Sequence, residues 1–134
     1  MTRAASFIAT ALLAAIAAFQ LALILGAPWG RLTQGGAVEG ALPSGGRVLA
    51  ALSILILILM WLAVSGRAGW GPARRWRPRL LAAVCWAAAG YSLLAIILNA
   101  ATPSGAERAV WLPVSIILAV CTWVVAWPAS RRKA

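Results

Sequence analysis

The chain of 134 residues contains no histidine and no aspartate, and Glu39 and Glu107 are its only acidic residues. These absences exclude a His-based catalytic triad, an Asp/Glu metal cluster and a His-ligated haem. The only lysine, Lys133, lies in the C-terminal tail, which argues against Schiff-base and P-loop chemistry. Cys85 and Cys121 do not form a C-x-x-C pair, which argues against a redox relay. We therefore expect no catalytic residues, no metal and no cofactor, and we favour a non-enzymatic protein over an enzyme.

Charged residues make up only 10% of the chain and apolar residues 63%, with a mean hydropathy of +0.92. Soluble domains have about a quarter of their residues charged. Four uncharged segments are each long enough to cross a membrane as a helix; they are residues 4–27, 48–64, 80–101 and 109–127. We predict an all-α fold, a four-transmembrane-helix bundle that forms a single membrane domain over residues 1–134. Its connections are two outer loops, 28–47 and 102–108, and a basic cytoplasmic loop, 65–79.

The first uncharged segment also has features of a secretory signal peptide. Arg3 precedes it, and Ala15-Ile16-Ala17 has the small-x-small pattern of a cleavage site. The apolar run continues beyond this pattern to Leu25, which is too long for the core of a signal peptide. We expect a retained transmembrane helix, with a cleaved signal peptide as the alternative.

The twelve basic residues are unequally divided between the two sides of the predicted bundle. Three of them, Arg31, Arg47 and Arg108, lie in the outer loops together with both glutamates. The other nine lie on the opposite side: Arg3, Arg67, Arg74, Arg75, Arg77, Arg79, Arg131, Arg132 and Lys133. Basic residues are enriched in cytoplasmic loops. We therefore predict a multi-pass protein of the bacterial inner membrane with both termini in the cytoplasm.

Two halves of the chain resemble one another. The loop before the second helix reads Pro-Ser-Gly-Gly-Arg at 43–47, and the loop before the fourth reads Pro-Ser-Gly-Ala-Glu-Arg at 103–108. Ser53 and Trp61 recur as Ser115 and Trp123, both at an offset of 62 residues. This pattern predicts two in-out-in hairpins related as a weak parallel repeat. Small residues in the first helix (Ala14, Ala18, Ala22) and the third (Ala83, Ala87, Gly90) predict that these two helices pack together.

Several polar residues occur in the outer halves of the predicted helices and in the outer loops. Polar groups inside a membrane need partners, so we expect those in the helices to face the bundle interior and to form an outward-open polar pocket. The candidate ligand or partner contacts are Gln20, Trp29, Arg31, Glu39, Arg47, Tyr91, Asn99, Glu107 and Arg108, accompanied by Ser53, Ser92 and Ser115.

Simpler structural roles are alternatives for some of these residues. Ser104-x-x-Glu107 has the pattern of a capping box at the start of the fourth helix, and Ser44 is a candidate N-cap of the second. Asn99 is placed to cap the third helix or to bond the outer loop. Gln20 is placed to form an interhelical hydrogen bond.

The first outer loop is long for a connection between two helices, and six of the residues from Pro28 to Gly46 are glycine. Loops longer than about 12–15 residues are usually functional or disordered. The glycine spacing matches neither a dinucleotide-binding nor a Walker A pattern. We expect a lid or a partner-contacting loop, with a flexible connector as the alternative.

The cytoplasmic loop alternates arginine with tryptophan. Basic side chains beside a membrane attract anionic lipids, and tryptophans favour the headgroup region. The candidate contacts to anionic lipid are Arg67, Trp70, Arg74, Arg75, Trp76, Arg77 and Arg79. The alternative is a loop that only sets the topology. We expect no nucleic-acid partner, because the loop is short and held at the membrane.

The chain resembles small four-helix integral membrane proteins of bacteria for which no activity is known. The resemblance rests on Gly-Ala-Pro-Trp-Gly at 26–30 and on Asn99-x-x-Thr-Pro-Ser-x-x-Glu-Arg at 99–108. It implies a four-helix membrane protein and no particular activity. The size is also similar to that of small multidrug-resistance transporters, but their membrane-embedded glutamate in the first helix is missing. Quinone-linked disulfide oxidoreductases need paired cysteines, which are missing too.

Three hypotheses of function follow. The first is a non-enzymatic accessory or interaction protein whose outer pocket takes a lipid, a small ligand or a partner subunit. The second is a small transporter or channel built from the two hairpins, and the third is a membrane enzyme that uses an outer glutamate. The partners we expect are the lipid bilayer, anionic lipids at the cytoplasmic face, and a membrane protein partner or a second copy of the chain.

Overall fold

The computed structural model of the protein describes residues 1–127. These residues form four α-helices: α1, Thr2–Ile24; α2, Ser44–Arg67; α3, Pro78–Ala101; and α4, Gly105–Ala126. Short 3₁₀ turns lie in the connections, at Gly30–Leu32, Gln34–Gly36 and Pro72–Arg75. All four helices are long and apolar enough to cross a membrane. The tail residues Arg131, Arg132 and Lys133, which contribute to the predicted orientation, lie outside the described residues.

Helix α2 is longer at both ends than the uncharged segment 48–64. Arg47 and Arg67 lie within its terminal turns, where the helical hydrogen bonds continue although the apolar run has ended. Arg47 folds back, so that its Nε donates a 2.9 Å hydrogen bond to the carbonyl oxygen of Leu42. Charge therefore marks the edge of the apolar segment but not the end of the helix.

Helices α2 and α4 begin in different ways. Ser104 is the N-cap of α4, and its Oγ accepts a 3.2 Å hydrogen bond from the backbone N–H of Glu107, which confirms the predicted cap. Pro43 precedes α2 without any side-chain cap, and Ser44 is the first residue of the helix. The predicted N-cap role of Ser44 is therefore wrong.

The helices pack in a ring in which each contacts its neighbours in the chain and α4 returns to α1. Helices α1 and α3 lie at opposite corners, while α2 touches α4 across the centre. The predicted packing of α1 on α3 through small residues is wrong, since Ala14, Ala18, Ala87 and Gly90 are exposed on the outside of the bundle. The spacing of the small residues shows that they share one face of a helix. It does not show which neighbouring helix, if any, that face contacts.

Large apolar side chains cover the outside of the bundle, as Leu55, Leu59, Ile97 and Val120 illustrate. Hydroxyl and carboxyl groups lie inside, among them Ser65, Ser92, Ser115, Thr122 and Glu107. An apolar outer surface, with these polar groups kept inside, suits a bundle surrounded by lipid. The chain therefore has the architecture of a multi-pass membrane protein.

The two ends of the bundle differ in the connections that they carry. The loop face carries residues 25–43 and 102–104, and the basic face carries Met1 and residues 68–77. A large cluster of buried apolar residues, among them Leu57, Met60, Cys85, Leu118 and Cys121, fills the half near the basic face. A smaller cluster of Leu23, Leu42 and Ala50 joins α1 to α2 near the loop face. The space between the helices of the loop-face half is less completely filled.

Candidate functional site

A cavity of about 170 Å³ lies among the four described helices in the loop-face half of the bundle, and it is called the cavity below. Each of these helices contributes side chains to it, and Thr33 of the α1–α2 loop forms part of its cover. Its polar lining residues are Gln20, Thr33, Ser53, Tyr91, Ser92, Asn99, Glu107 and Ser115. An engineered cavity of about 150 Å³ accommodates benzene. The space is therefore large enough for a small molecule.

The structure brings together part of the predicted contact set. Gln20, Tyr91, Asn99 and Glu107 line the cavity, together with the three predicted serines Ser53, Ser92 and Ser115. Five other predicted contacts lie outside its lining: Trp29, Arg31, Glu39, Arg47 and Arg108. Sequence reasoning missed the aromatic lining by Phe19 and Trp111, because an aromatic residue in an apolar segment does not stand out as a polar one does.

Glu107 is the charged group of the cavity and is only 9% exposed. Its Oε2 accepts a 2.9 Å hydrogen bond from the backbone N–H of Gly35 and a 2.7 Å bond from Oγ1 of Thr102. The backbone N–H of Ser104 is directed to Thr102 instead, at 3.4 Å. Only half of the predicted capping box is formed, namely the bond from the N–H of Glu107 to Ser104. The carboxylate of Glu107 does not bond the N–H of Ser104 and instead lines the cavity and contacts the loop that covers it.

Arginines of the loop face do not neutralise Glu107. Within residues 1–127 the only ion pair joins Arg31 to Glu39, and both of these side chains are largely exposed. Arg47 donates to the carbonyl oxygen of Leu42, and Arg108 donates to that of Thr102. The carboxylate in the cavity thus has hydrogen-bond donors but no ion-pair partner among the described residues.

The α1–α2 loop covers the cavity and is tied to the helices beneath it. Gln34 donates through Nε2 to the carbonyl oxygen of Gly46 at 2.8 Å, and Trp111 donates through Nε1 to that of Leu32 at 2.6 Å. Ser104 donates through Oγ to the carbonyl oxygen of Arg31 at 2.9 Å. These bonds join the loop to α2 and to the start of α4.

The positions of Gly35 and Gly36 in this loop favour glycine. Gly35 and Gly36 have φ angles of 82° and 69°, in the left-handed region that other residues rarely adopt. A Cβ atom at Gly36 would also lie 2.6 Å from the Cβ of Ser104. The left-handed turn directs the N–H of Gly35 to Glu107, so these glycines serve the cover of the cavity.

Aromatic rings form one wall of the cavity. The ring of Phe19 lies 4.7 Å from that of Trp111 in an edge-to-face arrangement and 5.8 Å from that of Trp29 in a stacked one. Phe19 and Trp111 line the cavity, whereas Trp29 backs Phe19 from the outside. The hydrogen bond from Trp111 to Leu32 holds this wall against the loop.

Packed apolar side chains form the floor of the cavity. Leu57, Met60 and Leu118 line it and also belong to the large core cluster. Oγ of Ser92 and Oγ1 of Thr122 lie 2.8 Å apart, which joins α3 to α4 at this level. The cavity therefore extends from the loop face to the packed middle of the bundle.

On the basic face, the structure ties part of the predicted lipid-contact loop to α1. Trp70 donates through Nε1 to Oγ of Ser6 at 2.9 Å, and its ring stacks on Phe7 at 5.1 Å. Gly66 and Ala73 hold the turn Pro72–Arg75 close against α2. The exposed basic side chains of the predicted set are Arg74, Arg75, Arg77 and Arg79, whereas Arg67, Trp70 and Trp76 are half-buried.

Cys85 and Cys121 are free thiols within the core, and residues 1–127 contain no cluster of three or more side chains suited to a metal ion.

The chain matches no protein-family model, no curated protein and no solved structure. No related protein therefore indicates a ligand for the cavity, and its function is inferred from the residues that line it.

Proposed function

We propose that the chain is a multi-pass protein of the bacterial inner membrane, with the basic face in the cytoplasm and the loop face on the outer side. The charges of the described residues support this orientation. Exposed arginines without acidic partners cluster around Arg74 and Arg75 at the basic face, while Glu39 and Glu107 accompany the arginines of the loop face. A green fluorescent protein fused to the C terminus is expected to fluoresce. An active alkaline phosphatase fusion at the same point would overturn the orientation.

We infer that the protein acts through its cavity, as a non-enzymatic accessory or interaction protein that binds a small polar ligand at its outer face. One observation carries this inference: the four described helices and the covering loop direct polar side chains into a single space that ends on a packed floor. Convergent polar groups in an otherwise apolar cavity are typical of ligand sites.

Native mass spectrometry of the purified full-length protein tests this function. The wild type is expected to carry a small bound molecule that is lost when Gln20 and Asn99 in the cavity are both replaced by Leu. Ser44→Ala serves as the control, because Ser44 is exposed and lies outside the cavity. A wild-type protein recovered only as a bare chain would count against the proposed function.

A second candidate is a small transporter built from the two hairpins. The observation in its favour is that the α1–α2 and α3–α4 hairpins both line the cavity, as the repeats of transporters line their binding sites. In each hairpin an arginine near the start of the second helix, Arg47 or Arg108, donates to a carbonyl oxygen of the preceding loop, which supports the repeat. Flux into liposomes that responds to Gln20→Leu would favour this candidate, whereas the packed floor favours binding.

A further inference from the structure

We propose that the cavity binds a small organic ammonium ion, held by the carboxylate of Glu107 and by the aromatic rings of Phe19 and Trp111. This inference rests on the proposed ligand-binding function and names the chemical class of its ligand. Four features of the cavity support it independently: its charge, the direction of its hydroxyl groups, its aromatic wall and its size.

The charge of the cavity calls for a cation. Both hydrogen bonds that Glu107 accepts from described residues end on Oε2, so Oε1 is left for a ligand. An ionised carboxylate in a poorly hydrated site is costly unless an opposite charge accompanies it. Arg31, Arg47 and Arg108 are bound elsewhere, so a cationic ligand would supply the counter-charge that none of these arginines provides.

Two hydroxyl groups of the cavity, those of Ser53 and Ser115, are oriented to accept hydrogen bonds. Ser53 donates its proton to the carbonyl oxygen of Leu49 in the same helix, and Ser115 donates to that of Leu112, each at 2.9 Å. A serine hydroxyl has one proton and two lone pairs, so these oxygens present only acceptors to the cavity. Together with Glu107, these serines offer acceptors from α2 and α4, which matches a ligand that donates through N–H groups or carries positive charge.

The aromatic wall distinguishes an organic cation from a metal ion. Ammonium groups are attracted to the faces of Trp, Tyr and Phe rings, and the attraction grows when water is excluded. Phe19, Tyr91 and Trp111 line the same space as Glu107, together with the apolar side chains of Leu57 and Leu118. The apolar wall gives an inorganic cation no ligands on that side of the cavity, and it suits the methyl or methylene groups of an amine.

The size of the cavity limits the ligand to a compact one. A volume of about 170 Å³ is smaller than the several hundred Å³ of pockets that hold drug-sized molecules. Choline, a small quaternary ammonium alcohol, is a suitable probe. Its neutral carbon analogue, 3,3-dimethylbutan-1-ol, has nearly the same shape and lacks the charge.

Titration calorimetry of the full-length protein in lipid nanodiscs tests the proposal. Choline chloride is expected to bind in a saturable manner, at least about tenfold more tightly than 3,3-dimethylbutan-1-ol and than sodium chloride. Glu107→Gln is expected to remove this preference, whereas Glu39→Gln, which removes an exposed carboxylate outside the cavity, is expected to retain it. The wild-type comparison of choline with its neutral analogue requires no variant, so it holds even if Glu107→Gln fails to fold.

The outcomes separate this inference from the proposed function. Equal binding of choline and its neutral analogue would overturn the ammonium assignment while leaving a ligand-binding cavity. Equal or tighter binding of sodium would assign the site to an inorganic cation and overturn the proposal. If the wild type binds none of the three probes and also carries no bound molecule in mass spectrometry, both the inference and the proposed function fail.

Discussion

The carboxylate of Glu107 accepts a 2.9 Å hydrogen bond from the backbone N–H of Gly35, which lies 72 residues earlier in the chain. The bond joins the loop that covers the cavity to the group that gives the cavity its charge. Cover and charge therefore depend on the same side chain, and replacement of this carboxylate should affect both.

Glu107→Gln is expected to loosen the covering loop. Hydrogen bonds to a charged group contribute about 1.5–3 kcal/mol, against about 1 kcal/mol for neutral partners, so the loss should be about 1 kcal/mol. Hydrogen–deuterium exchange at residues 30–38 should then become about fivefold faster. Glu39→Gln is the control, because its exposed ion pair contributes little. Unchanged exchange in Glu107→Gln would contradict the tie between carboxylate and loop.

Gly36→Ala is expected to destabilise the loop by about 1–2 kcal/mol, since Gly36 has a positive φ of 69° and its new Cβ atom would lie 2.6 Å from Ser104. Gly40→Ala in the same loop is the matched control, because no atom lies within 4 Å of a Cβ placed there. Thermal unfolding of both variants in detergent provides the comparison. A Gly36 variant as stable as the Gly40 variant would show that the close approach to Ser104 is not needed.

The hydroxyl pair of Ser92 and Thr122 is expected to stabilise the contact of α3 with α4. Interhelical hydrogen bonds in membrane proteins average about 0.6 kcal/mol, with larger values up to about 1.7 kcal/mol. A double-mutant cycle of Ser92→Ala and Thr122→Val, followed by unfolding in detergent, should give a coupling in this range. Additive effects of the two changes would mean that each hydroxyl is satisfied by its own helix, since both also bond to carbonyl oxygens there.

The exposed arginines of the basic face are expected to retain anionic lipid. Each basic side chain near an anionic surface contributes about 1 kcal/mol. The double variant Arg74→Gln and Arg75→Gln should therefore co-purify with less cardiolipin or phosphatidylglycerol in native mass spectrometry. Arg31→Gln removes a charge at the opposite face and is the control. Equal lipid retention by both variants would leave the basic loop with a role in topology only.

The polar lining of the cavity was the part of the site most accessible to prediction. Gln20, Tyr91 and Asn99 stand out in apolar segments, and the need to satisfy polar groups inside a membrane predicts that they face inward. Trp29 and Arg31 lie outside the lining of the cavity, and their positions depend on the path of a loop in which Gly35 and Gly36 adopt left-handed angles. The path of this loop cannot be predicted from the periodicity of the sequence, because periodicity indicates helices and strands and not loop conformations.

For Glu107, one property was predictable from the sequence and another was not. Its place three residues after Ser104 predicts the start of α4, and the hydrogen bond from its N–H to Ser104 confirms that start. The direction of its carboxylate was not predictable, since it depends on Gly35, which lies 72 residues earlier in the chain, as well as on the nearby Thr102. Local hydrogen bonds determine where α4 begins, whereas a contact with the distant Gly35 helps to determine where the carboxylate of Glu107 lies.

Composition alone determined that this chain forms apolar helices long enough to span a membrane, because the cost of burying charge and backbone polar groups leaves few other structures for such a sequence. Only the tertiary structure decided which helices are neighbours and which side chains share the cavity. Low hydrophobic contrast is the physical reason: when most faces of a helix are apolar, the pattern no longer distinguishes the face that meets lipid from the face that meets another helix. Packing of individual side chains makes that choice, as the exposed Ala14 and the buried Ala9 of the same helix show.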